Sequence, residues 1–181
     1  MAWTSPLTWV SQAVTAALLN QQLRDNMNET APGKATATGR YFVTTGANSI
    51  VERLPTQDSV ATSETTTSTS YTDLSTAGPA VTVTTGTSAL VFASAQLWNP
   101  ALNAVAFMGV AVSGDSTVAA ADATSLQIDK STADTIAPSM TRPILFTGLT
   151  AGSNTFTCKY RTNNGANAAN FKNRNIIVLP L

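Results

Sequence analysis

The chain has 181 residues with one cysteine, no histidine, and ten basic against ten acidic residues, so its formal net charge at pH 7 is zero. The absence of histidine excludes Ser-His-Asp and Cys-His nucleophile systems and His-ligated metals, while one cysteine excludes an intrachain disulfide and a cysteine zinc cluster. Zero net charge and scattered basic residues predict no binding to nucleic acid or anionic lipid.

The first predicted element is an N-terminal helical arm, residues 1–31. Thr15 can cap a helix whose apolar residues recur at three- and four-residue spacing, among them Leu19, Leu23 and Met27. Because about three helical turns are marginal in isolation, this stripe predicts a partner: the chain's own β domain, a symmetry copy or another protein.

Trp3 and Trp9 precede the helix in a stretch too short to build its own core. They either fold back on the domain or dock on a neighbouring subunit, and we expect them to serve attachment or oligomerisation with the helical stripe. The same stretch has neither a basic segment nor a continuous apolar one, so we expect no signal peptide and synthesis in a cytoplasm. No apolar run is long enough to span a membrane.

Residues 32–60 predict a hairpin and a linker. Two short β-prone runs, 41–44 and 49–54, flank residues 45–48, whose Gly and Asn suit a turn. A lone hairpin is hardly stable in water, so it too needs something to pack against. Residues 61–70 are almost purely hydroxylated, which fits either a flexible segment or an extended edge strand.

Residues 61–181 predict an antiparallel β domain. Residues 80–84 and 154–161 alternate apolar with polar side chains, as half-buried strands do. Within the second run, Cys158 shares a face with Phe156 and Tyr160, which predicts a buried structural thiol. Further candidate strands are 89–98, 103–113, 126–129, 143–146, 168–171 and 175–179. About eight strands favour a jelly-roll-like antiparallel β-sandwich.

Two of these strands are apolar or small on both faces, at residues 89–97 and 104–112. A strand of a two-layer sandwich buries one face, so something is expected to cover the other. The N-terminal helix or a second copy of the domain can do so. Ala and Gly on the second face favour a subunit contact. We therefore expect a homo-oligomer, and jelly rolls of this kind often form trimers.

The acidic residues offer the main candidates for chemistry. Asp115, Asp122, Asp129 and Asp134 lie close in sequence, separated by small polar residues. Solvated loop ends are the favoured interpretation, and a calcium site is the alternative because Ca²⁺ takes carboxylate and carbonyl oxygens. The spacing fits no EF-hand, and no glycine-rich phosphate loop appears. We expect no enzyme, no catalytic residues, no bound metal and no cofactor.

Two turns are candidates for carbohydrate contact, one with Trp98 and Asn99, the other with Asn163 and Asn164. Aromatic stacking and amide hydrogen bonds suit a sugar, and sandwich loops often carry binding residues. The alternative is that Trp98 caps the core and the Asn residues form turns.

Two segments resemble proteins of tailed phages. Residues 15–26, in which Thr-Ala leads into Leu-Asn and then Arg-Asp-Asn, resemble the opening helix of small tail and virion proteins, particularly those of actinobacterial phages. Residues 39–55 are similar to a tail-fibre hairpin segment that opens with Gly-Asp and closes with Asn-x-Leu-x-Arg-Leu-Pro. Here Arg40 stands where Asp is usual, and Ile50 and Val51 replace the usual residues.

The resemblance implies a structural virion protein: a short fibre, a minor tail component, or a capsid-attached fibre or decoration protein. We expect a homo-oligomer on the surface of a phage particle, made in the host cytoplasm and anchored to other virion proteins by its N-terminal arm. The alternatives are a receptor-binding adhesin for a host-surface glycan and a stand-alone carbohydrate-binding module.

Overall fold

The computed structural model describes residues 13–28, 30–129 and 137–181. Trp3, Trp9 and Asp134 therefore lie outside the described residues. The chain divides into two compact units, Met1–Leu54 and Pro55–Leu181. We call them the N-terminal unit and the β unit.

Among its described residues, the N-terminal unit contains a helix over the predicted segment. Its parts are α1 (Ala16–Leu19), a π-helical stretch (Asn20–Asp25) and α2 (Asn26–Asn28), followed by the separate turn α3 (Ala31–Lys34). The predicted cap is confirmed, since the Thr15 hydroxyl accepts a hydrogen bond from the Leu18 amide at 3.2 Å. The sequence analysis expected a regular α-helix throughout. The π-helical stretch has wider turns, which change the angular spacing between Leu19 and Leu23.

The predicted hairpin is confirmed as β1 (Tyr41–Gly46) paired antiparallel with β2 (Ser49–Arg53). Asn48 at the turn has a φ of 56°, in the left-handed region that Asn tolerates. Glu52 ties the hairpin to the preceding segment by accepting hydrogen bonds from the Thr36 amide and hydroxyl, each at 2.6 Å. These hydrogen bonds, with Arg40 at 3.6 Å, hold the pKa of Glu52 below its ordinary value.

The β unit contains nine strands in its described residues. They are β3 (Thr56–Val60), β4 (Glu64–Thr66), β5 (Ala80–Thr85), β6 (Ser88–Trp98), β7 (Val105–Gly114), β8 (Leu126–Asp129), β9 (Ser139–Thr147), β10 (Gly152–Thr162) and β11 (Ala169–Pro180). One antiparallel sheet has the order β3-β11-β6-β9, with β4 also on β11, and the other has β5-β10-β7-β8.

This strand order confirms the predicted jelly-roll sandwich. Since β3 and β4 both pair with β11, they act as one interrupted first strand. In each sheet, strands from earlier in the sequence then alternate with later strands, as in a jelly roll wound from two Greek keys. The expected linker of residues 56–60 is strand β3, and of the two interpretations of residues 61–70 the structure contains the edge strand, β4.

The strands expected separately at 168–171 and 175–179 are one strand, β11, interrupted by a bulge between Lys172 and Asn175. Phe171 and Ile176 are both buried although five residues apart, an odd spacing that regular alternation forbids. The bulge supplies the extra residue that returns the following apolar side chains to the core.

The core lies between the two sheets. Phe156 and Tyr160 of β10 make edge-to-face contacts with Phe146 and Phe171 of the opposite sheet, at centroid distances of 5.6 and 4.8 Å. Cys158 between them has no solvent exposure, which confirms the predicted buried thiol, and burial raises its pKa to about 12.

Residues of the β unit itself cover part of the second face of β7, for which the sequence analysis considered the N-terminal helix or a second copy. Phe107 and Gly109 point away from the core and are buried. A methyl group at Gly109 would lie 2.9 Å from the Tyr71 ring and 3.0 Å from Ala120. The expectation that something covers this face is confirmed at Phe107 and Gly109, and the covering residues there, Tyr71 and Ala120, carry no periodic signal in the sequence.

Candidate functional site

The predicted attachment stripe is exposed where the structure describes it. Leu19, Leu23 and Met27 have exposed fractions of 41%, 58% and 68%. Large apolar side chains lose hydration favourably when another surface covers them. The stripe therefore presents exposed apolar side chains, while Trp3 and Trp9, predicted to share its role, lie outside the described residues.

The two predicted contact turns meet at one end of the sandwich. Asn163 in the β10–β11 turn accepts a hydrogen bond from the Val105 amide at 2.7 Å and donates one to the Asn103 carbonyl at 3.2 Å. Asn99 donates to the Thr162 hydroxyl at 3.4 Å and accepts from the Ala101 amide at 3.1 Å. These bonds fix the β6–β7 turn to the β10–β11 turn.

The four residues differ in how far they reach solvent. Asn99 is 2% exposed, so its side chain is engaged inside the turn. Trp98 is half-buried, while Asn163 and Asn164 are exposed. The side-chain Oδ1 of Asn164 accepts a hydrogen bond from the Ala166 amide at 3.0 Å, which stabilises a tight Asx turn. A ligand at this end would meet Trp98, Asn163 and Asn164.

The acidic residues in the described part of the chain serve separate contacts. Asp115 accepts a hydrogen bond from the Ser153 amide at 2.7 Å, which joins the residue after β7 to the start of β10. Asp122 forms an ion pair with Arg161 and accepts from the Tyr71 hydroxyl at 2.9 Å. No three His, Cys, Asp or Glu side chains among the described residues are grouped as a metal site would require.

Arg161 organises the cover over β7. Its guanidinium lies 3.8 Å from the centroid of Phe107 and 5.5 Å from that of Tyr71, where cation–π attraction adds to the ion pair. The hydrogen bond from Arg161 is the largest cause that lowers the pKa of Asp122 below its ordinary value. The cluster therefore holds the segment around Tyr71 and the β7–β8 connection against the sheet.

A buried ion pair between Arg174 and Glu64 was missed by the sequence analysis. Arg174 on β11 has no solvent exposure, and its Nη2 lies 3.0 Å from the Glu64 carboxylate on β4. Its guanidinium carbon is 5.4 Å from the Tyr160 ring centroid, and Glu64 also accepts from the Thr76 hydroxyl at 2.7 Å. The odd spacing of the apolar residues Phe171 and Ile176 was the sequence signal from which an inward-facing Arg174 could have been predicted.

No helix among the described residues combines the length and apolar character of a membrane span. No protein-family model and no curated protein sequence matches the chain. Among solved structures it is similar to the crystal structure of the infectious bursal disease virus VP2 subviral particle, with a TM-score of 0.45 and 11% identity. It is also similar to the structure of the infectious bursal disease virus Gx strain, with a TM-score of 0.43 and 8% identity. Each similarity covers 76% of this chain but 37% of the other, so the chain spans little more than a third of their length.

Proposed function

We propose that this chain is a non-enzymatic structural protein of a tailed-phage particle. It would form a homo-oligomeric short fibre, minor tail component or capsid decoration, for which the sequence analysis expected a trimer. The observation that carries the proposal is the pair of phage-like segments within residues 15–55, in the expected order. The described residues fold there as a helix ending at Asn28 and a hairpin ending at Arg53.

The exposed stripe supports a role of the arm as anchor. Leu19, Leu23 and Met27 share the helix with an ion pair between the neighbouring Arg24 and Asp25. An apolar stripe of this kind binds best to a groove or to other helices on a partner protein. We propose that the partner is another virion protein of the capsid or tail, and that Trp3 and Trp9 add to the contact.

The β unit would then project from the particle surface. Half of its outer positions on β5 and β10 are Thr, such as Thr82 and Thr155, whose hydroxyls are 2.7 Å apart. Neutral hydroxyl pairs are insensitive to salt, unlike exposed ion pairs. This composition suits a surface that stays stable in varied media, and the lack of histidine in the sequence supports a non-catalytic role.

Antibody labelling of purified particles tests the proposal. Antibodies raised against the purified chain are applied to particles of the phage that encodes it and viewed by electron microscopy. Labels at a fixed place on the head or tail are expected, and that place separates decoration from fibre. Particles that carry no label and no peptide of this chain by mass spectrometry would overturn the proposal.

A receptor-binding adhesin is the second candidate, favoured by the meeting of the two turns at one end of the sandwich. Trp98 with exposed Asn163 and Asn164 supplies one stacking and two amide groups. A glycan array with the full chain tests it, comparing Trp98→Ala with Leu102→Ala, an exposed apolar residue of the same turn. A strong signal that only Trp98→Ala removes favours the adhesin, and no signal from the wild-type chain argues against it.

A further inference from the structure

Two adjacent rows of apolar side chains cross the outer face of the β3-β11-β6-β9 sheet. The register places Ile177, Phe92 and Pro143 side by side in one row. The next row along the strands, two residues away, contains Leu179, Leu90 and Leu145. Residues two apart in a strand point to the same side, so all six side chains belong to one surface. We call it the outer apolar face.

The outer apolar face is accessible and uncharged. Leu145 is 59% and Ile177 37% exposed, Pro143 is exposed, and the other three are half-buried. The positions that continue the rows are neutral: Gln57 lies opposite Ile177, and Ser94 and Thr141 form part of the following row. Contiguous apolar surface of this kind marks an interaction site in proteins.

The outer face of the other sheet has a different character. Its strands present Thr82 and Thr155, an ion pair of Lys159 with Asp73 at 2.7 Å, and the cluster around Arg161. Segments of the same chain also cover part of it, as at Gly109. Outward-facing positions of this sandwich are thus not apolar in general, and the outer apolar face is a specific feature of one sheet.

We propose that the outer apolar face docks against the same face of a second copy of this chain. This deepens the proposed function, since it rests on the homo-oligomer and names its surface. A face that meets itself must not bring like charges together. Both apolar rows are uncharged, so two copies can pack sheet on sheet without an unpaired charge between them.

The size of the surface fits a stable pair. The strands of this sheet, β3, β4, β6, β9 and β11, contain 40 residues, which at about 3.4 Å per residue and about 4.8 Å spacing cover roughly 650 Å². A standard protein interface buries about 800 Å² on each partner. Most of one outer sheet face would therefore be used. The exposed Lys172, opposite Gln96, lies two rows beyond the apolar rows, at the rim of the contact, where it stays hydrated.

Face packing is favoured over pairing at the sheet edge. The edge strand β9 carries Pro143, which lacks the amide hydrogen needed to extend a sheet. The contact expected is therefore two-fold and face to face. We therefore expect a dimer with two-fold symmetry, whereas the sequence analysis expected a trimer.

Sedimentation velocity and light scattering of the full chain test the inference. The wild-type chain is expected to form pairs at micromolar concentration. Leu145→Glu and, separately, Ile177→Glu should weaken the pair at least ten-fold, since each places a charge in the dry contact. Thr84 is exposed on β5 of the other sheet, so Thr84→Glu is the matched control and should form pairs as the wild type does. Circular dichroism and thermal melting confirm that each variant is folded.

Hydroxyl-radical footprinting of the wild-type chain gives a readout without substitution. Protection of Phe92 and Leu145 should rise with protein concentration, while that of Tyr71, which is half-buried over the outer face of the other sheet, stays constant. An oligomer that persists in both Glu variants, or one without this protection, overturns the inference but leaves the homo-oligomer intact. A monomeric wild-type chain, as expected if its own residues cover the face, overturns both the inference and the homo-oligomer. Absence from particles overturns the proposed function alone.

Discussion

At the residue scale, the buried pair of Glu64 and Arg174 is the contact with the largest consequence for stability. Arg174 is fully buried, yet one carboxylate, two carbonyls and the Tyr160 ring surround its guanidinium. A buried charge is tolerated while its partner is present, and removing the partner leaves it uncompensated. The pair therefore fixes β4 to the bulged part of β11, and we expect the loss of either partner to destabilise the fold.

Glu64→Gln should lower the free energy of unfolding by about 1–3 kcal/mol, because it leaves the buried guanidinium without its counter-charge, while Glu64 itself is only half-buried. Adding Arg174→Met should cost less than the sum of the two single changes. Denaturant unfolding of the four chains measures this coupling. Thr65→Ala, at the exposed neighbouring position of β4, is the control and should change little. Additive losses would contradict the pairing.

The same pair predicts a dependence on pH. Hydrogen bonding from the Thr76 hydroxyl, followed by smaller effects that include Arg174, holds the pKa of Glu64 below its ordinary value of 4.5. A depressed pKa stabilises the fold above the unfolded-state value and loses this effect as pH falls through the folded-state value. The stability difference between wild type and Glu64→Gln should be constant from neutral pH to about 5 and shrink below about 4. A difference that persists in acid would contradict it.

Individual residues were predictable where local pattern decides their place. Cys158 and its neighbours alternate regularly, so the buried thiol followed from the sequence. Arg174 was not predictable in the same way, because a charged residue in a strand is normally outward. Only the bulge, which shifts the facing of every later residue of β11, turns it inward.

At the element scale, the N-terminal helix and the cover of β7 show two uses of apolar surface. The helix leaves Leu23 and Met27 in solvent, whereas β7 buries Phe107 under other parts of the same chain. The helix and its cap were predictable from spacing. The cover was not, since Tyr71 and Ala120 come from two connecting segments without periodic pattern and contact Gly109 only after folding.

Leu23→Asp should reduce attachment to the particle at least about ten-fold, because burying a carboxylate in an apolar contact costs more than the ~1.4 kcal/mol that corresponds to this factor. The β unit should melt as in the wild type. Quantitative mass spectrometry of purified particles measures the bound copies. Gln21→Asp, at an exposed position of the same helix, is the control with the same charge. Full incorporation of Leu23→Asp would argue against the arm as anchor.

Gly109→Ala should destabilise the chain by about 1–3 kcal/mol through overpacking. Its methyl group would approach the Tyr71 ring to 2.9 Å and Ala120 to 3.0 Å. Thermal unfolding measures the loss. Gly46→Ala, where no heavy atom lies within 4 Å, is the control. Unchanged stability would mean that the cover moves away freely and does not latch β7.

At the scale of the whole molecule, the strand order makes a jelly roll from a sequence that is poor in charge and lacks histidine. Strand count and alternation predicted the sandwich, because each strand buries one face. The pairing of β3 and β4 with β11 was not predictable, since it joins segments more than a hundred residues apart. The outer apolar face emerged only from this pairing, which aligns its two rows.

The central claim is that apolar surfaces hold this chain in a phage particle, and a salt wash of purified particles tests it most directly. Mass spectrometry counts the chain per particle before and after exposure to about 1 M salt, where charge contacts between exposed groups are screened. We predict a constant number of copies that is retained through the wash. Particles without the chain, or complete loss in salt, would contradict the account.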